Sequence, residues 1–260
     1  VMAFMEDVDE QLWKLGVSAK TRHNEVAPAQ HELAPVFSSV NIATDHNLLT
    51  MEVLKKTAER HGLACLLHEK PFKGVNGSGK HDNWSISTDT GVNLLSPGKD
   101  PANNLLFLAT VAAVIEAVHE HSDLLRLSVA TAGNDHRLGA NEAPPAIISV
   151  YLGDQLTDIF EALAAGKKYK AADAGKTGIG VSAVPDFIKD NSDRNRTSPF
   201  AFTGNKFEFR ALGSSLNIAC PNMMINVAVA DAMESMMDAL KNVKAADFEK
   251  AARKVIKDVY

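Results

Sequence analysis

Three short motifs, spread over most of the chain, each place a carboxylate or an imidazole beside a turn or a strand. They occupy residues 22–32, 76–81 and 206–210. If the motifs act together, the fold must bring distant parts of the chain into one site, which constrains the topology more than any local pattern does. Their candidate ligands for divalent cations are Glu25, Glu32, His81 and Glu208. Carboxylates with an imidazole hold Mg²⁺ or Mn²⁺ well, and these metals bridge phosphate oxygens.

Arginines accompany these candidate ligands in the same parts of the sequence: Arg137, Arg194, Arg196 and Arg210. The planar guanidinium group matches the geometry of carboxylates and phosphates. Metal ligands together with arginines are the side chains that phosphoryl transfer requires. The residue types therefore favour an enzyme that acts on a phosphate group.

The composition indicates a globular protein of ordinary type. The 260 residues are 45% hydrophobic and 23% charged, and we interpret them as one domain because no linker is evident. The net charge of −5 gives no sign of nucleic-acid binding. The longest apolar run, residues 105–118, is too short and too charged to span a bilayer and indicates a buried helix. No secretory signal is evident, so we expect a cytoplasmic protein without a membrane partner.

The hydrophobic pattern predicts several elements, with Asp45 capping the first helix and Gly62 ending it. The predicted helices cover residues 45–61, 101–122, 144–165, 222–240 and 245–260. The predicted strands cover residues 63–72, 82–87 and 205–211, and the first two should flank a glycine turn. An exposed loop or insertion is expected at residues 166–180. The two cysteines, Cys65 and Cys220, lie in apolar runs, and we expect buried reduced thiols.

The glycine-rich residues 74–81 nearly match the phosphate-binding pattern GxxxxGK[ST]. His81 replaces the final Ser or Thr, and a strand rather than a helix is expected next, so we reject that motif. Glycines also let the backbone approach a ligand closely. Asn76 and Gly77 are therefore candidates for contacts with a small polar substrate. A plain hairpin turn remains the alternative.

The candidate ligands leave alternatives open when each is taken alone. Pro28 makes one continuous helix through Glu25 and Glu32 unfavourable, but two short strands could direct both carboxylates into one cavity. Strand alternation places Glu208 and Arg210 on one face, with Lys206, opposite the neighbouring phenylalanines. That polar face borders either a cavity or solvent.

In this order, the motifs resemble the catalytic domain of glutamine synthetase, most closely the large type III form. The resemblance runs from about residue 22 to residue 210. It implies an α+β fold in which a curved antiparallel sheet forms the active-site funnel, packed with long helices and followed by a helical part at about residues 216–260. It also implies ligation of ammonia to glutamate through a γ-glutamyl phosphate, with ATP as a substrate and with Mg²⁺ or Mn²⁺.

The resemblance assigns a role to each matching residue. Glu25 and Glu32 match the ligands of the metal nearer glutamate, and His81 and Glu208 those of the metal nearer ATP. Residues that match the substrate contacts are Asn76, Gly77 and Arg137. Residues that match the catalytic groups are Glu142, a flap glutamate that shields the intermediate, and Arg196 and Arg210, which face the transferring phosphate. Residues that fall at nucleotide contacts are Phe37, Asn83, Ser85 and Lys206.

The chain also departs from the family pattern. The spacing from Arg137 to Glu142 is one residue shorter than usual, and Ala201 stands where a second arginine is usual. The acidic Glu-x-Glu element of the family has no counterpart before Arg22. We therefore expect a piece of a longer protein, truncated on its N-terminal side and inactive alone. The family implies a homo-oligomeric ring, a hexamer or a dodecamer, for the whole protein.

Two other functions remain open from the sequence. One is a related ligase that joins glutamate to a larger amine, and the other is a structural relative without turnover. The group at Glu142 and the region before Val1 would distinguish the amine ligase, because an ammonium site needs acidic groups and a larger amine needs space. The presence of so many charged site residues argues against an inactive relative, since a disused site has no physical need for buried charge.

Overall fold

The computed structural model describes residues 1–139, 143–169, 176–177, 187–188 and 198–260. The helices in these ranges are α1 (Met2–Lys14), α2 (Val40–Arg60), α3 (Leu105–Glu120), α4 (Ser122–Ser128), α5 (Ala132–Arg137), α6 (Asp154–Ala164), α7 (Ala219–Leu240) and α8 (Phe248–Val259). The strands are β1 (Ala19–Asn24), β2 (His31–Pro35), β3 (Lys80–Trp84), β4 (Val150–Tyr151), β5 (Lys176–Thr177), β6 (Phe187–Ile188), β7 (Phe200–Phe202) and β8 (Phe207–Leu212). Short 3₁₀ turns cover Pro101–Asn103 and Ala245–Asp247.

Two of the sheets position the candidate ligands. Strands β1 and β2 form an antiparallel hairpin, and a four-stranded sheet has the order β3–β8–β7–β4. In that sheet, β3, β8 and β7 are antiparallel, whereas the short pair of β4 and β7 is parallel. The predicted α+β class is confirmed, but the sheet is mixed rather than purely antiparallel.

The core lies between α3 and the phenylalanine-bearing face of β7 and β8. Asn104 caps α3 by accepting a hydrogen bond from the Phe107 amide at 3.2 Å, and the apolar helix is largely buried. Phe207 and Phe209 point into this core, and Phe207 stacks on Phe200 with ring centroids 4.9 Å apart. Burial of each ring contributes roughly 1.5–3 kcal/mol. Alternation then places Glu208 on the opposite face, as predicted.

Most predicted elements are confirmed with shifted ends. The predicted helix at residues 101–122 is a 3₁₀ turn followed by α3, the two C-terminal helices match α7 and α8, and the predicted strands at 82–87 and 205–211 match β3 and β8. The predicted loop at residues 166–180 falls mostly outside the described residues.

The N-terminal boundary of the helix predicted at residues 45–61 is wrong. Helix α2 begins five residues earlier, at Val40, with Ser39 at the N-cap position, so Asp45 lies inside the helix. The prediction relied on the first strong capping residue before the apolar stripe, although Ser39 is an equally good capping type.

The strand predicted at residues 63–72 is also wrong. No strand is assigned in this described segment, and β3 pairs instead with the distant β8. The Glu69 carboxylate accepts a hydrogen bond from the Ser214 amide, and a Cβ on Gly77 would lie only 2.4 Å from the Glu69 carbonyl oxygen. The glycine turn therefore packs directly on this segment and leaves no space for a ladder beside it.

The helix predicted at residues 144–165 is correct only in its second half. Val150–Tyr151 forms β4, and α6 begins at Asp154. Gly153 precedes the helix with a φ of +79°, a conformation that interrupts a continuous helix.

The prediction of buried cysteines also needs correction, because Cys220 is exposed and Cys65 is half-buried, although both thiols are free.

The described helices give no candidate for a single membrane span. Helices α3 and α4 together have the length and composition of a membrane span, but only in those two respects, and they are bent by 76° relative to each other.

The turn of the β1–β2 hairpin contains strained backbone. The Gln30 amide donates to the Ala27 carbonyl at 3.1 Å, with Pro28 and Ala29 between them. Ala29 has a φ of +56°, in the left-handed region that favours glycine.

We expect Ala29→Gly to raise the free energy of unfolding by about 0.5–1 kcal/mol, measured by urea unfolding of the complete protein. The control, Ala3→Gly in the exposed first turn of α1, should lower it by a similar amount. A loss of stability in the Ala29 variant would contradict the strain.

Helix α3 carries a poorly stabilised carboxyl group. The Glu116 Oε2 atom is buried and has no hydrogen-bond partner among the described residues. Burial, followed by the like charges of Glu120 and Asp231, raises the pKa of Glu116 above its ordinary value of 4.5. A carboxyl group with a raised pKa in the folded state stabilises the fold at low pH, and this contribution is lost as the pH rises above that ordinary value.

We therefore expect Glu116→Gln to stabilise the protein at pH 7 by up to about 1 kcal/mol, and this gain should shrink towards pH 4. Urea unfolding at both pH values measures the change. The exposed Glu6→Gln of α1 is the matched control and should show little change at either pH. A gain that does not depend on pH would contradict the electrostatic cause.

Candidate functional site

The β1–β2 hairpin assembles three potential metal ligands. His23 and Glu32 are cross-strand partners, and Glu25 lies two residues beyond His23 on the same side of the hairpin. The His23 Nε2 atom lies 2.9 Å from Glu25 Oε1 and 3.3 Å from Glu32 Oε2. One ligand atom from each of the three residues lies within 4.8 Å of the others, as in a site for one cation. We call this set the hairpin cluster.

The hairpin cluster brings two carboxyl groups into contact. Burial and the hydrogen bond with Glu25 raise the pKa of Glu32, while His23 and His81 act in the opposite direction. The raised pKa means that the ionised pair is unfavourable without a positive charge nearby. A divalent cation would supply that charge, so the electrostatics of the cluster fit a metal site.

A second pair of candidate ligands comes from β3 and β8. The His81 Nδ1 atom lies 3.1 Å from Glu208 Oε1, and Glu208 is the cross-strand partner of Asn83. His81 falls where the register shifts between Lys80 and Asp82. A bulge of this kind re-aims side chains near functional sites, and here it accompanies the contact between the imidazole and Glu208.

The hairpin and the four-stranded sheet meet at one cavity of about 570 Å³. All four metal-ligand candidates line it: Glu25, Glu32, His81 and Glu208. The structure therefore brings together the residues that the sequence analysis grouped. Their role as ligands stays a prediction.

The same cavity has two charged neighbours that the sequence analysis missed. Burial raises the pKa of Asp82 to about 6, although an amide hydrogen bond of 2.8 Å from Asn222 opposes the shift. Burial also lowers the pKa of Lys80 to about 8, and its ammonium group contacts Asn47 Oδ1 at 3.3 Å and the Leu216 carbonyl. Both shifts have the same cause, which is a wall with little access to water.

The predicted substrate-contact residues lie beside the cavity. Gly77 is buried against the Glu69 carbonyl, and Asn76 precedes it, whereas Ser78 and Gly79 are among the described residues that line the cavity. Gly77 is thus needed for close packing on the protein itself. That reason differs from the predicted approach to a ligand.

The predicted substrate arginine is 3% exposed and lies behind the cavity wall. Arg137 donates to Asn134 Oδ1 at 2.7 Å and to the Leu212 carbonyl at 2.8 Å. A Cβ on Gly79 would lie 2.8 Å from its guanidinium group, so this glycine covers the arginine. Burial lowers the pKa of Arg137. In this structure its donors bind the end of β8, and a contact with substrate stays a prediction.

Some of the other candidates lie at the cavity and others lie apart from it. Arg210 is buried, with Nε 3.9 Å from Glu208 Oε2, so it lies beside the proposed ligands. Phe37 and Asn83 line the cavity, and Phe37 is 94% exposed. Ser85 donates to Asn93 Oδ1 at 3.0 Å, and the Lys206 carbonyl accepts from the Thr203 amide, both apart from the described cavity lining. Three predicted residues lie outside the described residues: Glu142, Arg194 and Arg196.

His23 is a potential metal ligand that the sequence did not lead us to predict. The signal was available, because a histidine two residues before Glu25 on a strand shares its face. The prediction rested on the Glu25–Glu32 pair alone, whereas strand alternation also extends to the residues before Glu25.

Comparisons with known proteins agree with the arrangement of these elements. The sequence profile of the glutamine synthetase catalytic domain matches residues 1–148. The chain is 51% identical over 259 residues to a type-3 glutamine synthetase of Dictyostelium discoideum, which covers 99% of this chain and 35% of the relative. It is 66% identical over 209 residues to a glutamine synthetase of Butyrivibrio fibrisolvens, which covers 80% of this chain and 30% of the relative. The chain thus spans about a third of the length of these curated relatives.

Two solved structures share the fold at low sequence identity. The structure of apo GmaS without ligand has a TM-score of 0.62 at 18% identity, covering 99% of this chain and 55% of that protein. A cryoEM structure of Plasmodium falciparum glutamine synthetase has a TM-score of 0.61 at 17% identity, covering 90% of this chain and 38% of that protein. With the profile match over more than half of its residues, the chain belongs to the glutamine synthetase family.

Proposed function

We propose that the complete protein carrying this chain is an ATP-dependent glutamate–ammonia ligase. It would form glutamine through a γ-glutamyl phosphate, with Mg²⁺ or Mn²⁺ as the metal. The observation that carries the proposal is the meeting of the two glutamates of the hairpin cluster with His81 and Glu208 at one cavity. Membership of the family and relatives that bear the name glutamine synthetase support the choice of substrates.

The donor set suits hard divalent cations. Glu25 and Glu32, with His23 beside them, would hold one cation, and His81 and Glu208 would hold another. Carboxylate oxygens and imidazoles are suitable ligands for Mg²⁺ and Mn²⁺. When bound, the cations neutralise and orient the phosphate oxygens of ATP.

The remaining residues would position substrates and exclude water. Arg210, beside Glu208, adds a fixed positive charge where the phosphoryl group moves to the glutamate carboxylate. Asn76, Gly77 and Arg137 would hold glutamate, and Phe37, Asn83, Ser85 and Lys206 would contact the nucleotide.

The final step requires ammonia to react faster than water with the acyl phosphate. Glu142 would attract ammonium and take its proton, and Arg196 would bind the transferring phosphate. A homo-oligomeric ring, hexameric or dodecameric, and a cytoplasmic location complete the proposal.

Activity of the complete protein tests this function directly. With glutamate and ATP, it should form glutamine from ammonium, or γ-glutamyl hydroxamate from hydroxylamine, only when Mg²⁺ or Mn²⁺ is present. Glu208→Gln should lower kcat/KM by more than about 100-fold, whereas the exposed Glu59→Gln of α2 should not change it. Normal turnover in thoroughly chelated buffer would contradict the proposal. A preference for larger amines over ammonium would favour the amine ligase instead.

Cation binding by the hairpin cluster can be tested without turnover. Glu32→Gln removes one ligand and should weaken Mn²⁺ binding, followed by electron paramagnetic resonance, by more than the roughly 10–100-fold that outer-shell changes cause. Because the substitution also removes a like charge beside Glu25, the metal-free variant should be more stable than the wild type by up to about 1 kcal/mol at pH 7. Glu59→Gln is again the control. Unchanged Mn²⁺ affinity in the Glu32 variant would remove this carboxylate from the site.

A further inference from the structure

The side chain of Gln30 bonds two parts of the site that are far apart in sequence. Its Oε1 atom accepts a hydrogen bond from the Ser78 amide at 2.8 Å. Its Nε2 group faces three carbonyls, those of Ser78 at 3.0 Å and of His68 and Glu69 at 3.3 Å. One amide side chain thus pairs with both backbone groups of Ser78 and also reaches the segment at residues 68–69.

These contacts join the two sets of candidate ligands. Gln30 lies between Glu25 and Glu32, directly before β2. Ser78 belongs to residues 74–79, which we call the glycine loop, and this loop leads into β3 and His81. The path from Glu32 to His81 through Gln30 therefore needs only a few residues, although the two ligands are 49 positions apart in the sequence.

The segment at residue 69 extends this link to the third motif. The Glu69 carbonyl accepts from Gln30, while its carboxylate accepts from the Ser214 amide, just after β8. Glu69 is buried, and a Cβ on Gly77 would lie 2.4 Å from its carbonyl oxygen. The glycine loop is thus held between Gln30 and a segment that is itself fixed to the end of the strand carrying Glu208.

We propose that Gln30 is a positioning residue that fixes the glycine loop against the hairpin cluster, so that this loop and the proposed cation ligands keep one relative position. This inference rests on the function proposed above. The physical reason is that Gln30 satisfies an amide and several carbonyls at a partly buried junction, where an unpaired polar group would be costly. Neither a hydrophobic residue nor a carboxylate of the same size reproduces both the donor and the acceptor.

Two variants of the complete protein separate hydrogen bonding from packing. Gln30→Met keeps the approximate volume and removes both hydrogen-bonding functions. Gln30→Glu keeps the volume and an acceptor, but it directs a carboxylate at three carbonyl oxygens. The matched control is Gln155→Glu, an exposed glutamine of α6. If Gln30 only filled space, both Gln30 variants would behave like the wild type.

Hydrogen exchange of the glycine loop in metal-free protein is the primary measurement. We expect Gln30→Met to speed amide exchange at residues 76–80 about tenfold, with a larger increase in Gln30→Glu, while α3 and α7 keep their protection. In activity assays, both variants should raise the KM for glutamate by more than about tenfold, with a smaller change in kcat, because the loop is positioned poorly before chemistry begins. The Gln155 variant should match the wild type in every assay.

The outcomes distinguish this inference from the proposed function. Amide exchange of the glycine loop at the wild-type rate in either Gln30 variant would overturn the positioning role. A wild-type KM for glutamate in Gln30→Glu would overturn it as well. Titration with MnCl₂ tests the cation site separately, because the wild-type hairpin cluster should bind Mn²⁺ and the side chain of Gln30 bonds none of its ligands, so Gln30→Met should lose less affinity than the roughly 10–100-fold that outer-shell changes cause. If the wild type bound no Mn²⁺, the proposed function would fail, whereas the exchange result would still decide the role of Gln30.

Discussion

The pairing of β3 with β8 is the contact on which the rest of the site depends. These strands lie more than a hundred residues apart in the sequence, yet their register places Glu208 opposite Asn83 and brings the His81 imidazole within 3.1 Å of the Glu208 carboxylate. The two buried phenylalanines of β8 fix this register, because a shift by one residue would move them from the core to the cavity. Hydrophobic packing on one face of the strand therefore sets the position of polar chemistry on the other.

Charged side chains in and behind the cavity wall support the structure around the candidate site. Arg137 binds carbonyls of β8, Lys80 binds the Leu216 carbonyl, and Glu69 binds the Ser214 amide. Each of these side chains is charged and at least half-buried, and each caps backbone groups where the chain leaves regular structure. These bonds satisfy backbone groups that would otherwise be left unpaired next to the cavity. The boundary between a binding residue and a supporting residue is consequently narrow here.

Much of the site was predictable from sequence because the relevant signals are short in range. Alternation in Phe207–Glu208–Phe209 identified both the buried and the polar face of β8, and Pro28 correctly excluded a helix between Glu25 and Glu32. The failures have a common physical cause. Residues 63–72 are apolar enough for a strand, but through Glu69 they pack against the glycine turn and bind the Ser214 amide instead of pairing with β3, although β3 lies at the edge of its sheet. Local periodicity reports which residues can be buried, and it contains no information about which partner a distant segment supplies.

The β1–β2 hairpin combines unfavourable local features with well-ordered contacts. The contact between the carboxyl groups of Glu25 and Glu32 and the positive φ at Ala29 both lower the stability of the hairpin, whereas the hydrogen bonds of Gln30 hold it against the glycine loop. Of these features, only the contact between the two carboxyl groups is one that a cation would relieve, because the strain at Ala29 does not depend on charge. If the hairpin binds a cation as proposed, stability and cation affinity would be linked through these two carboxylates. In the proposed cation-bound state, the positive charge would remove the repulsion between the two carboxylates, so cation binding would stabilise the fold.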